Sequence, residues 1–158
     1  MKIFNATIAD VESMHQLIEV YANREVVLPR SLLSIYQHLQ CMYVVKDESK
    51  VVGVAGLHIL GKDIAEVRSL VVDPIYQHKG IGHMLVKHII MESTELGVGR
   101  LISLTYQVDF FAKCGFNIVE KETLPEKVWT DCINCPKVNE CDEVAMIKYL
   151  TEKSKTKL

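Results

Sequence analysis

The most informative segment of the chain is Gln77-His78-Lys79-Gly80-Ile81-Gly82, in which two glycines are separated by one residue at the start of a strong helical pattern. Glycine lets the backbone approach a ligand closely, and the free N–H groups at a helix start attract an anion. A diphosphate meets that requirement. The segment is not a Walker loop, because no Gly-Lys-Ser/Thr follows, and Leu85 replaces the third glycine of the dinucleotide fingerprint. On the two glycines alone, an ordinary glycine-rich helix start is the alternative interpretation.

Three of the five cysteines lie close together, as Cys132, Cys135 and Cys141. Their C-x2-C-x5-C spacing begins with a pair suited to metal binding, and three thiolates would fill three of the four positions that a structural Zn²⁺ prefers. A second C-x-x-C is absent, so the fourth ligand would have to be Asp131, Asp142 or a distant histidine. A redox-reactive or disulfide-prone loop and unpaired structural thiols are the two alternatives to this zinc site.

Hydrophobic periodicity predicts an α/β chain in which short strands and helices position these segments. The predicted strands are 3–6, 42–45, 51–59, 65–72, 101–104, 116–120 and 144–149. The predicted helices are 7–21, 31–39, 80–96 and 108–114. Strand 101–104 follows a helix and is expected to lie parallel to strand 65–72 in a right-handed crossover. The segment 121–143 is long for a loop in a compact domain, which makes it a candidate functional loop.

Composition limits the classes of protein to which the chain can belong. Apolar residues make up 49% and charged residues 24%, which is a globular composition. The formal net charge of −2 gives no basic field, so no nucleic-acid partner is expected. No leader-like segment and no apolar run of roughly 20 residues is found, which predicts a cytoplasmic protein without a membrane partner. We expect a single domain over 1–150 and a flexible tail over 151–158.

The glycine segment and its surroundings resemble the GNAT superfamily of acetyltransferases, whose signature is Q/R-x-x-G-x-G/A. Val71-Val72-Asp73-Pro74-Ile75-Tyr76 leads into the segment, and the order of elements matches over 3–149. The resemblance implies a mixed, mostly antiparallel sheet of six to seven strands, with four helices and a parallel strand pair that splays apart. It also implies acetyl-CoA as the cosubstrate, with the backbone of Leu70, Val71 and Val72 along pantetheine. The pyrophosphate would be held by Gln77, His78, Lys79, Gly80, Ile81 and Gly82.

The acetyl transfer implied by this resemblance needs a proton acceptor, because an amine is mostly protonated at neutral pH and then cannot attack a thioester. Glu66 is the candidate base, since it lies on the strand that leads into the glycine segment. The competing interpretation of Glu66 is a solvated residue paired with Arg68. The family often has a tyrosine as general acid where Phe111 stands. Tyr106 or Thr105 are candidates to replace it, unless the thiolate leaves unaided.

Further segments resemble the acetyltransferase domain of N-acetylglutamate synthase, in its short form without a kinase-like domain. They are Gly53-Val54-Ala55-Gly56-Leu57-His58, 65–74 and Leu124-Pro125-Glu126-Lys127. By the same resemblance, the segment 26–31 presents Arg30 to a substrate carboxylate, which suits the planar fork of a guanidinium. Lys127 lies where the family supplies further cations, and His58 stands where some members have a lysine. Substrate contacts are therefore predicted for Arg30, His58, Arg68, Thr105 and Lys127.

The resulting hypothesis is an acetyl-CoA-dependent N-acetyltransferase that acts on the α-amine of a small amino acid by direct attack within a ternary complex. Glutamate, as in arginine biosynthesis, is the first candidate substrate. The cysteine segment 132–141 replaces an Arg-rich stretch of the family, which leaves the glutamate specificity open. The alternatives are an acetyltransferase for another amine, such as a peptide or protein N-terminus, and a non-catalytic CoA-binding or metal-sensing module. If the chain assembles with further copies of itself, a homodimer is the expected assembly.

Overall fold

The computed structural model describes residues 1–124 and 143–151. Its strands are β1 (Lys2–Asn5), β2 (Met42–Asp47), β3 (Lys50–Gly61), β4 (Ile64–Val72), β5 (Arg100–Thr105), β6 (Asn117–Ile118) and β7 (Val144–Tyr149). Its α-helices are α1 (Val11–Ala22), α2 (Leu32–Gln37), α3 (Ile81–Leu96) and α4 (Val108–Lys113). Single turns of 3-10 helix occur at Ile8–Asp10, Leu39–Cys41, Pro74–Tyr76 and Lys121–Thr123. Every predicted strand and helix is therefore present, with shifted ends.

The strands form a mixed sheet in the order β1-β2-β3-β4-β5-β7-β6. β2 pairs antiparallel with β1 and β3, and β7 pairs antiparallel with β5 and β6. β4 and β5 are parallel, as expected for two strands that are connected through a helix. The predicted fold class, a mostly antiparallel sheet of six to seven strands with four helices and one parallel pair, is confirmed.

The parallel pairing covers only the first part of β4. Ile64, Ala65 and Glu66 lie opposite the first three residues of β5, although β4 has nine residues. The parallel register given by Ile64–Glu66 thus involves one third of the strand.

The chain divides into two compact units, and the first comprises Met1–His58 and Val67–Ile89. Its core combines the apolar face of α1 with side chains from α2 and from the strands. The buried members of this core are Ala6, Val11, Met14, Leu17, Ile18, Ile35, Met42, Val44, Val51, Val54 and Val71. Ahead of α1, Asp10 Oδ2 accepts hydrogen bonds from the backbone N–H and the hydroxyl of Thr7, which closes the 3-10 turn. Val11, Met14, Leu17 and Ile18 recur at intervals of three or four residues, so the apolar stripe of α1 is its buried face.

Gly53 allows the start of α3 to lie close to β3. A Cβ at this position would lie 2.7 Å from Ile81 Cγ2 and 3.1 Å from Leu85 Cδ1. Both of these side chains are buried, so neither has room to move aside. The absence of a side chain at Gly53 therefore fixes where α3 packs, and with it the position of the preceding glycine turn.

The second unit comprises Ile59–Glu66 and Ile90–Leu158. One cluster of its core consists of Ile64, Ile102, Leu124, Ala145 and Ile147. The strand predicted at 116–120 is shorter, because only Asn117–Ile118 pairs with β7, at the edge of the sheet and with both side chains exposed. None of the helices in the described ranges has the length and apolar composition needed to span a bilayer.

Candidate functional site

The glycine turn connects the end of β4 to the start of α3. Asp73 Oδ1 accepts a hydrogen bond from Ile75 N–H at 3.0 Å, and the single turn Pro74–Tyr76 follows. His78 and Gly80 then have left-handed backbone, with φ of 64° and 83°. A Cβ on Gly80 would meet nothing within 4 Å, so the space beside this turn is open.

The backbone amides at the start of α3 form a candidate anion site. Met84 N–H donates to Gly80 O at 3.0 Å, which is an i to i−4 bond of the first turn. The amides of Ile81 and Gly82 precede that bond and have no acceptor within the helix. Together with the positive end of the helix dipole, they favour a negatively charged group in the open space beside Gly80. This is the geometry that a phosphate ligand requires.

Tyr21 at the end of α1 joins both ends of the glycine turn. Its hydroxyl donates to Val72 O at 2.5 Å and accepts a hydrogen bond from Gln77 Nε2 at 2.6 Å. Burial raises the pKa of this phenol, which keeps its proton available for the bond to Val72. Val11, Met14, Leu17, Ile18 and Tyr21 recur at three- and four-residue intervals, so the sequence pattern places Tyr21 only on the buried face of the first helix. The hydroxyl of a buried tyrosine usually needs a hydrogen-bond partner, and this is the feature of the sequence that could have indicated the polar role of Tyr21.

Two lysines stand over one aromatic ring beside the same turn. Lys50 Nζ and Lys79 Nζ each lie 5.3 Å from the centroid of the Tyr76 ring. The Tyr76 hydroxyl donates to Asp47 Oδ2 at 2.8 Å, which holds the ring in place. Lys79, a predicted pyrophosphate contact, is therefore located at an exposed cationic position next to the open space.

A second polar group of the first unit surrounds Arg30, the residue predicted to bind a substrate carboxylate. Arg30 Nη1 lies 3.0 Å from His58 Nε2 and donates to Ser69 Oγ at 3.2 Å. Arg30 Nε and Nη2 both donate to Ser34 Oγ, at 3.3 and 3.1 Å. The guanidinium of this half-buried residue is therefore held by side chains from α2, β3 and β4.

His58 is a neutral hydrogen-bond acceptor in this group. A guanidinium has only donors, so His58 Nε2 must carry a lone pair toward Arg30 and the ring proton must sit on Nδ1. Burial and the charges of Arg68, Arg30 and His38 lower the pKa of His58 to about 3. The rings of His38 and His58 have centroids 5.1 Å apart. The candidate substrate contact predicted at position 58 is thus an uncharged group directly bound to Arg30.

The rest of β4 carries the other predicted residues of the first unit. Arg68 is half-buried, and Val71 is buried between the half-buried Leu70 and Val72. Ser69 has a left-handed backbone, with φ of 55°, although it lies inside the strand. A serine in this conformation is strained by about 1 kcal/mol or more. Its hydroxyl accepts the hydrogen bond from Arg30 Nη1. No pattern in the sequence predicts this irregularity of the strand.

The residues predicted to transfer protons belong to the second unit. Glu66 is only 6% exposed and lies opposite Ile102 of β5. Tyr106 is half-buried and directly follows β5. Thr105 Oγ1 accepts from Gln107 N–H at 2.8 Å, so this predicted substrate contact also shapes the turn before α4.

Phe111 occupies the position where the family often has a tyrosine. It packs edge-on against Phe110 and Phe116, with ring centroids 5.1 Å apart in both pairs. The side chain is buried in this aromatic cluster.

Four predicted site residues, namely Lys127, Cys132, Cys135 and Cys141, lie outside the described residues. Within 1–124 and 143–151, no group of three His, Cys, Asp or Glu side chains is arranged to hold a metal ion. The zinc prediction depends on the cysteine segment alone and stays a prediction.

The pKa of His58 makes the free energy of unfolding depend on pH in a defined direction. The unfolded chain binds a proton at this residue below about pH 6.5, whereas the folded protein does so only near pH 3. The contribution of neutral His58 to the free energy of unfolding is therefore fully present above pH 6.5 and is lost as the pH falls toward 3. Relative to His58→Gln, the wild type should lose at most about 2 kcal/mol between pH 7 and pH 5. Urea titrations of both proteins measure this, and a constant difference would contradict the lowered pKa.

Comparison with known proteins agrees with this architecture. Residues 11–116 match the acetyltransferase (GNAT) family. An uncharacterized N-acetyltransferase of Chlorobaculum tepidum is 37% identical over 146 residues, which cover 92% of this chain and 94% of that protein. An amino-acid acetyltransferase of Mycobacterium tuberculosis is 32% identical over 129 residues, covering 80% of this chain and 74% of that protein.

A solved structure extends the similarity to ligand complexes. The N-acetylglutamate synthase of Neisseria gonorrhoeae, complexed with coenzyme A and N-acetyl-glutamate, superimposes with a TM-score of 0.87 at 25% identity. The match covers 96% of this chain and 35% of that one. The fold, the glycine turn and these matches define an acetyl-CoA-dependent N-acetyltransferase. The chain belongs to the acetyltransferase (GNAT) family, which confirms the predicted family and enzyme class.

Proposed function

We propose that this enzyme transfers the acetyl group of acetyl-CoA to the α-amine of a small amino acid, with glutamate as the first candidate. The observation that carries the proposal is the half-buried guanidinium of Arg30, which is fixed by Ser34, His58 and Ser69. Four of its five N–H groups are engaged by these partners, so a carboxylate would be attracted mainly by the positive charge of a guanidinium that is held in place. Supporting the choice of substrate, one relative is named an amino-acid acetyltransferase, and another was solved with N-acetyl-glutamate.

Acetyl-CoA is proposed to bind at the glycine turn. The amides of Ile81 and Gly82 would hold the pyrophosphate, and Lys79 would add a positive charge. The backbone of 70–72 would lie along pantetheine. One carbonyl of that segment, Val72 O, already accepts from Tyr21, so pantetheine would use the remaining polar groups of the segment.

The reaction is proposed to proceed by direct attack of the amine nitrogen on the thioester carbonyl in a ternary complex. Glu66 would take the proton from the amine, directly or through a water, and the C–S bond then breaks to release the thiolate of CoA. A carboxylate that is 6% exposed can be shielded from competing solvent protons while it does so. Tyr106 is the candidate acid for the thiolate, because Phe111 has no hydroxyl and packs in an apolar cluster.

Several expectations from the sequence stay proposals. They are the single domain over 1–150, the cytoplasmic location, the homodimer, substrate contacts at Arg68, Thr105 and Lys127, and a structural zinc at Cys132, Cys135 and Cys141. Metal analysis of freshly purified protein tests the last of these. A zinc content near zero would favour free thiols.

Arg30→Gln is expected to raise the KM for glutamate by roughly tenfold, because one charge-assisted contact to the substrate carboxylate is lost. The KM for acetyl-CoA should stay the same, since the glycine turn is unchanged. Steady-state release of free thiol measures both constants. Lys87→Gln is the matched control, because Lys87 is an exposed cation of the same unit.

Thiol release with each common amino acid tests the substrate class. Turnover restricted to glutamate or a close analogue supports the proposal. Turnover with peptide N-termini alone would favour a different amine. Tight CoA binding without turnover of any amine would favour a non-catalytic CoA-binding module.

A further inference from the structure

We propose that Ser34, His58 and Ser69 are positioning residues that orient the Arg30 guanidinium for its substrate, and that the residue at position 58 must be an uncharged hydrogen-bond acceptor. This inference rests on the proposed role of Arg30 as the ligand of the substrate carboxylate. It differs from the expectation that His58 contacts the substrate as a cation would.

The contacts of Arg30 define the orientation of its guanidinium plane. Ser34 Oγ accepts from Nε and Nη2, which lie on one edge of the plane. His58 Nε2 and Ser69 Oγ are both bound to Nη1, at 3.0 and 3.2 Å. All three nitrogens of the guanidinium are therefore held, and rotation about the last side-chain bonds would break several hydrogen bonds at once. The three partners are uncharged, so none of these three hydrogen-bonding groups cancels the positive charge of Arg30.

The three partners come from separate elements, which anchors Arg30 to the body of the first unit. Ser34 lies on α2, His58 on β3 and Ser69 on β4. His38 supports this arrangement, because its Nδ1 lies 2.8 Å from Ser34 O and must donate to that carbonyl. The His38 ring also contacts the His58 ring, at a centroid distance of 5.1 Å. A side chain at the start of a short helix is thereby held by the sheet.

The backbone conformation of Ser69 is a second observation in favour of a positioning role for these residues. Its φ of 55° lies inside β4, where a regular strand has negative φ. Left-handed serine is unfavourable, and glycine would adopt the conformation without this strain. A serine here retains a hydroxyl for Arg30 Nη1 that glycine lacks.

The test compares two replacements of His58 in the full chain, with glutamate and acetyl-CoA as substrates. In His58→Gln the amide oxygen can take the place of Nε2 as acceptor, whereas His58→Leu fills similar volume without an acceptor. We expect His58→Leu to raise the KM for glutamate by roughly tenfold with kcat changed less than about twofold, since one hydrogen bond to a charged group is lost. His58→Gln should stay within about twofold of the wild type. The KM for acetyl-CoA should not change in either.

Ser69→Gly separates positioning from stability. Glycine relieves the left-handed strain, which offsets the lost hydrogen bond and the greater freedom of the unfolded chain, so the variant should melt within a few degrees of the wild type. We still expect its KM for glutamate to rise by several-fold. A merely structural role for Ser69 would leave that KM unchanged in the folded variant. This variant also keeps the test valid if His58→Leu does not fold.

The outcomes distinguish this inference from the proposed function. If Arg30→Gln raises the KM for glutamate while His58→Leu and Ser69→Gly do not, the positioning role is wrong and the proposed function stands. If Arg30→Gln has no effect on that KM, the substrate role of Arg30 is wrong and this inference is wrong with it. A His58→Gln variant as impaired as His58→Leu would also overturn it, because the acceptor alone would then not be sufficient.

Discussion

Glu66→Gln is expected to lower kcat by on the order of a thousandfold at neutral pH, with little change in either KM. Glutamine has nearly the same shape and keeps a polar group at the site, so packing around this 6% exposed residue should be preserved. What it lacks is the ability to take a proton from the attacking amine. The reaction would then depend on the small fraction of substrate that is already deprotonated.

The pH dependence makes this prediction specific. In the variant, kcat/KM should rise steadily with pH toward the pKa of the amine, whereas the wild type should level off at lower pH. Glu95→Gln is the control, because Glu95 is an exposed carboxylate on α3 in the same unit. A variant with wild-type kcat and an unchanged pH–rate profile would remove Glu66 as the base.

Gly80→Leu is expected to weaken the binding of acetyl-CoA by more than about a hundredfold, because a side chain would fill the space in which the pyrophosphate is proposed to meet the amides of Ile81 and Gly82. The glycine has φ of 83° and nothing within 4 Å of its Cβ position. The substitution therefore has two effects, backbone strain and obstruction of the open space.

A matched control separates these two effects. Gly97, at the other end of α3, also has left-handed backbone, with φ of 87° and nothing within 4 Å of its Cβ position. Gly97→Leu should lose a similar amount of stability, about 1–2 kcal/mol, and should bind acetyl-CoA as the wild type does. Titration calorimetry with CoA and thermal melts measure the two quantities. Equal CoA affinity in both variants would show that the pyrophosphate does not bind at Gly80.

The elements that sequence patterns specify well are those with long periodic stretches. The helix predicted at 80–96 is observed at Ile81–Leu96, and the parallel partner of β4 was predicted from the helix that connects it to β5. These features follow from local periodicity and from the handedness of crossovers. The position of β7 between β5 and β6 depends on pairing between strands far apart in the chain, which no local pattern encodes.

The candidate site also has one part that local sequence predicts and one part that depends on contacts between distant residues. The glycine turn was predicted because its chemistry lies in six consecutive residues. The group around Arg30 was not, because its partners Ser34, His58 and Ser69 come from three elements and only the fold brings them together. The left-handed conformation of Ser69 is set by its surroundings and not by its residue type. Sequence reasoning therefore found Arg30 and His58 as separate residues and missed their direct hydrogen bond.

The double hydrogen bond of Tyr21 has a consequence for how this turn can vary in length. One hydroxyl group reaches both Val72 O and Gln77 Nε2, so the ends of the intervening segment 73–76 must stay within reach of a single oxygen atom. An inserted residue adds up to about 3.5 Å of chain, which has to bulge away from Tyr21 if both hydrogen bonds are to be kept. A deletion has no such outlet, because a shorter segment would pull one of the two partners away from the hydroxyl. The double hydrogen bond therefore sets a lower limit on the length of this turn, and the contacts of Asp73 and Tyr76 further restrict which residues it can contain.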